Sequence, residues 1–87
     1  MSEYGLIVNF KQNDKVIPFS RIVDFLQVNM KAKLLSYELD EIKRNFQCRF
    51  ESYKLSENEL VLIGGVFHGF GASDISISGE IYFQKFD

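Results

Sequence analysis

Apolar and polar positions alternate with a period of two in several stretches of the chain, the mark of strands that bury one face. Tyr4, Leu6, Val8 and Phe10 share one side of the first stretch, with Gly5, Ile7 and Asn9 on the other. Its middle is apolar on both sides, so the spacing predicts a strand inside a sheet. Phe46, Cys48 and Phe50 alternate with Gln47, Arg49 and Glu51, predicting a strand that runs to about Leu55. Leu60, Val61, Leu62, Ile63, Val66 and Phe67 are apolar on both faces and read as a strand over 60–68. Ile75, Ile77, Ile81 and Phe83 alternate with Ser76, Ser78, Glu80, Tyr82 and Gln84, predicting a strand over 75–86.

Between the first two strands the period lengthens. Pro18 suits the first position of a helix, where its missing N–H is not needed. Phe19, Ile22, Val23, Leu26 and Met30 then recur at three- and four-residue spacing, predicting a helix over 18–30. Ser36 reads as the N-cap of a second helix, with Glu38, Asp40 and Glu41 in its first turns and Lys43, Arg44 and Asn45 at its end. Leu35, Leu39, Ile42 and Phe46 would be its buried stripe. Gln12–Lys15 reads as a turn, Val16-Ile17 as a short return strand, and Ser56–Glu59 as a hairpin turn.

These elements predict a single α+β domain over 1–87. It is a two-layer sandwich of roughly four mostly antiparallel strands packed against two helices, in the order β-α-α-β-β-β. The last three strands are most simply a meander.

Composition narrows the functional classes. Charged residues make up 25% and the formal net charge is −2, with the lysines and arginines dispersed along the chain. Nucleic-acid binders draw affinity from a basic face, so neither nucleic acid nor an anionic membrane is the expected partner. One cysteine forms no intramolecular disulfide, which points to a reducing, cytoplasmic setting. No run approaches the ~20 apolar residues that span a bilayer.

Candidate chemistry is sparse. Five of the six glycines fall between Gly64 and Gly79. A phosphate loop needs a Gly-Lys-Ser/Thr ending, which this segment lacks, and a dinucleotide fingerprint needs a following helix. Gly64-Gly65 therefore reads as a bulge in a bent strand, and Gly69 and Gly71 as the turn into the next. His68 is the obvious acid or base, with Ser73, Asp74 and Glu80 nearby in the chain, but a triad needs spatial convergence that proximity in sequence does not supply. His68-Gly69-Phe70-Gly71 faintly echoes an RNA-recognition signature, then fails at Ala72-Ser73-Asp74. Cys48, alternating with Phe46 and Phe50, reads as a buried and inert thiol. One His and one Cys make no zinc set, so no metal or other cofactor is expected.

What remains is surplus apolar surface, and exposed aromatics are favoured anchors for protein partners. The expected function is a non-catalytic protein-binding module: an inhibitor, immunity or antagonist protein, or an adaptor, acting by occlusion or strand pairing. The expected contact residues are Tyr53, Phe67, His68, Phe70 and Tyr82, with Glu51, Glu57 and Glu59 steering a basic partner. The alternative is a small enzyme or ligand binder using the glycine-rich segment around His68. A homodimer through an unpaired edge strand is a further reading.

Overall fold

A computed structural model describes residues 2–12, 15–79 and 83–86, the last four by backbone alone. Strand β1 (Ser2–Phe10) is followed by helix α1 (Phe19–Asp24), which continues as a π-helical turn over Phe25–Asn29. Then come β2 (Lys33–Asp40), β3 (Asn45–Ser52), helix α2 (Glu57–Gly69), β4 (Ala72–Ser78) and β5 (Phe83–Phe86). The strands form one antiparallel sheet in the order β2-β3-β1-β4-β5. Up to β4 this is the β-α-β-β-α-β order of the ferredoxin-like, split β-α-β plan, with one strand added.

The α+β class and the helices-on-a-sheet construction are as expected. β1 lies in the middle of the sheet, between β3 and β4, as its two-sided apolar centre predicts. Its inner face forms rows with its neighbours: Val8 lies opposite Phe46 and Ile75, and Leu6 opposite Cys48 and Ile77. All six are buried. The first helix also stands where its stripe placed it, with Ile22, Phe25 and Leu26 buried and Pro18 at its N-cap.

Val16-Ile17 forms no strand, and three larger expectations fail, each for a physical reason. The segment taken as a second helix is strand β2 and a turn. A bulge between Leu34 and Ser36 breaks the period of two, after which Tyr37 and Leu39 oppose inner-face residues of β3. Asp40 does not fill a helix: its Oδ1 accepts from the N–H groups of Ile42 and Lys43, closing the turn into β3.

The run taken as a strand over 60–68 is helix α2, and Ser56–Glu59 is its cap rather than a hairpin turn. Ser56 Oγ accepts from Glu59 N at 3.2 Å, and Ser56 N donates to Glu59 Oε1 at 3.0 Å. This reciprocal capping box satisfies two N–H groups that the helix start would leave unpaired. Leu60, Ile63, Gly64 and Phe67 then line the buried stripe, so Gly64-Gly65 is helical and not a bulge. Gly69 ends the helix, and Gly71, at φ +100°, makes the left-handed turn into β4. Consequently β3 and β4 are not hairpin neighbours: α2 crosses between them and both pair with β1.

Finally, the long last strand is two strands, β4 and β5, paired antiparallel with Ile75 opposite Phe86 and Ser78 opposite Phe83. Ile81 and Tyr82 lie outside the described residues.

Candidate functional site

The π-helical turn and the start of α2 lie side by side in the helical layer, and a groove of about 140 Å³ opens between them. The N–H of Met30 donates to the carbonyl of Phe25 at 3.0 Å, the i→i+5 bond of a π-turn, which stacks these two side chains on one side. Phe25, Met30, Leu55 and Ile63 form a buried apolar floor. Tyr53, Leu62, Glu59 and Asn29 form the rim, with Tyr53 51% and Leu62 62% exposed.

The capping box sets the electrostatics of this rim. The Tyr53 hydroxyl donates to Glu59 Oε2 at 2.5 Å, while Oε1 accepts from Ser56 N. The Tyr53 bond, then those from the Ser56 backbone and side chain, hold the Glu59 carboxyl below the usual carboxylate range. The same bond, followed by slight desolvation and the charge of Glu59, pushes the Tyr53 phenol up. Glu57 stands exposed in the same first turn. The rim is therefore anionic and the floor apolar.

The expected contact residues divide between places. Tyr53 and Glu59 come together at this rim, whereas Glu57, two residues before Glu59 in the first turn of α2, lies outside the lining of the groove. Glu51 lies on the outer face of the sheet, in register with Glu3 and Lys33. His68 is in the last turn of α2, about 14 Å along the axis from Glu59 at 1.5 Å per residue. Its Nδ1 lies 3.0 Å from the Ala72 carbonyl. Phe70 is half-buried beside it, edge-on to Phe67. Phe67 itself is fully buried in the core, so it is corrected from a contact residue to a packing residue. Tyr82 lies outside the described residues.

No acid–base constellation forms around His68 from the residues that neighbour it in sequence. The Ser73 hydroxyl donates to the Asn9 carbonyl at 3.0 Å, and Asp74 Oδ1 accepts from the Asn9 amide at 2.8 Å. Glu80 lies outside the described residues. Cys48 is buried on the inner face, and desolvation pushes its thiol up to about 12. A thiol so placed is not a nucleophile at neutral pH.

The outer face of the sheet holds a second, open depression of about 320 Å³ around Gly5, Ile7, Gln47 and Arg49. Arg49 pairs with Glu3 across it. A row of hydrogen bonds crosses this face, from Gln47 to Asn45, Asn45 to Asn9 and Asn9 to Asp74. On the central strands this face carries Glu3, Gly5, Ile7 and Asn9 beside Asn45, Gln47, Arg49 and Glu51, with no aromatic ring for a base to stack on.

From sequence, Phe25 and Met30 belong only to a helical stripe and Leu55 and Leu62 only to strands, and none of the four is a site residue. The Ser-x-x-Glu capping signature at Ser56–Glu59 was the signal that would have turned Leu62 outward on a helix. No helix among the described residues is long and apolar enough to cross a membrane. Compared with protein-family models, curated proteins and solved structures, the chain has no match.

Proposed function

We propose that this chain is a non-catalytic protein-binding module, an inhibitor, antagonist or adaptor, that engages its partner through the groove between the π-turn and α2. The observation carrying this reading is the combination of a buried apolar floor with exposed Tyr53 and Leu62 and the Glu59 carboxylate at its rim, with Glu57 exposed in the same helical turn. A pocket of this size takes one or two side chains, the usual form of an interface anchor. The fitting partner presents an apolar side chain flanked by lysine or arginine, with the carboxylates steering its approach.

The test is a pull-down from the native host with tagged wild type and Leu62→Lys, read by mass spectrometry. Leu62 is exposed, so the variant should fold normally. Wild type should retain one stoichiometric partner and the variant should lose it. Equal recovery with both proteins would remove the groove from the reading. Glu57→Lys should then slow association, more so at low salt.

A further inference from the structure

Strand β2 is an edge strand: β3 pairs with one side of it, and no described strand pairs with the other. An open edge is a template for another strand. We propose that the occupant of this edge is the β2 strand of a second copy, running antiparallel about a two-fold axis at Tyr37.

The β2–β3 register sorts the side chains by face. Leu34, Tyr37 and Leu39 oppose Phe50, Cys48 and Phe46 and so belong to the inner face. Lys33, Ser36, Glu38 and Asp40 oppose Glu51, Arg49, Gln47 and Asn45 on the outer face. Leu35 is the extra residue of the bulge. Antiparallel pairing sets same-face residues opposite one another. With the axis at Tyr37, the two tyrosines meet on the inner face and Leu34 of each copy faces Leu39 of the other. On the outer face, Ser36 meets Glu38 and Lys33 meets Asp40.

Every opposed pair thus matches in face, Lys33 meets its opposite charge in Asp40 at both ends, and Glu38 meets a neutral serine. Moving the axis to Glu38 sets two glutamates opposite each other, which is destabilising. Moving it to Ser36 carries Leu39 and Asp40 past the start of the strand. The bulge and the interspersed charges blunt the edge against arbitrary strands but not against this one. Tyr37 is 59% exposed and Leu35 42%, so there is apolar surface for the contact to cover. The axis is normal to the sheet, which leaves both grooves open on one side of the dimer. This inference is independent of what the groove binds.

Sedimentation of the full chain at several concentrations should show a monomer–dimer equilibrium. Lys33→Asp and Asp40→Lys should each weaken the dimer about tenfold or more, because each places like charges opposite at two symmetric points. An equimolar mixture of the two variants should recover it, since the reversed charges then oppose each other. Asp40 also closes its turn, so circular dichroism must show that Asp40→Lys is folded. Register is read separately: Tyr37→Cys should form an intermolecular disulfide under mild oxidation, and Ser36→Cys alone should not. Buried Cys48 does not compete. A monomer at every concentration would overturn the proposal, as would linkage through Ser36→Cys but not Tyr37→Cys. Leu62→Lys should remain dimeric, which separates failure of this interface from failure of the groove.

Discussion

The hydroxyl of Tyr4, buried on the inner face of β1, accepts a hydrogen bond from the backbone N–H of Leu55 at 2.9 Å. Leu55 lies in the segment between β3 and α2 and lines the groove, so this bond ties the groove wall to the central strand. The Tyr4 ring stacks on Phe50 at 5.4 Å. Tyr4→Phe keeps that ring contact and strands the Leu55 N–H in the interior. It should cost about 1–3 kcal/mol, the penalty for a buried donor without its acceptor. Urea unfolding should show a lower midpoint with an unchanged slope.

Two large apolar residues on α2, five positions apart, should behave oppositely. Phe67 is fully buried and meets Phe25 and Phe70 edge-on, with centroids 6.0 and 5.8 Å apart. Phe67→Ala should cost about 3–5 kcal/mol through the cavity it leaves. Leu62→Ala should change stability by no more than about 0.5 kcal/mol, as at other exposed positions, yet weaken partner binding. Paired denaturation curves check this; equal losses would mean that the outward face of α2 has been misassigned.

The contrast between those two residues shows what could be read from the chain. β1 and β3 keep a period of two, and the first helix keeps helical spacing up to its π-turn, so spacing alone located them. β2 was hidden by one bulged residue: Leu35, Leu39 and Ile42 then fall at helical spacing, although Ile42 is 91% exposed in the turn. α2 was hidden by composition, because Val61, Ile63, Val66 and Gly64-Gly65 all disfavour helix. Its stability comes from the capping box and from burying Leu60, Ile63 and Phe67, and tertiary burial overrode local preference. Placing that run in a strand also moved Phe67 to the surface. Tyr53, Glu57 and Glu59 were legible as surface groups. The convergence of Tyr53 and Glu59 over Phe25 and Met30 was not, since it depends on how a π-turn packs against a helix distant in sequence.

The rim should reveal itself by pH. Glu59 is held below the usual carboxylate range, first by the Tyr53 hydroxyl and then by Ser56. Between its folded and unfolded values the native carboxyl is ionised while the unfolded one is protonated. Stability from this group is therefore complete above the unfolded value and is lost as pH falls through the folded one. NMR titration should place Glu59 below the usual glutamate value, and Tyr53→Phe should bring it part of the way back up. Glu59→Gln should abolish this component of the acid-side loss and leave the helix capped, because glutamine serves the same position in the box.

Lys31 and Arg44 adopt left-handed backbone, at φ +53° and +55°. This conformation costs a residue bearing a Cβ about 1–2 kcal/mol. Glycine removes that cost but returns about 0.5–1 kcal/mol through the freedom of its unfolded chain. The exposed Lys31 follows the π-turn, and Lys31→Gly should gain up to about 1 kcal/mol. Arg44 differs because its Nε donates to the Lys11 carbonyl at 2.6 Å, joining the β2–β3 turn to the end of β1. Arg44→Gly forfeits that charged hydrogen bond, which offsets the relief of the backbone. Thermal melts should show Lys31→Gly rising by a few degrees, on the scale of about 4–8 °C per kcal/mol for a domain of this size. Arg44→Gly should show no gain. A comparable rise in both would mean that the Arg44 contact contributes nothing to holding the turn against β1.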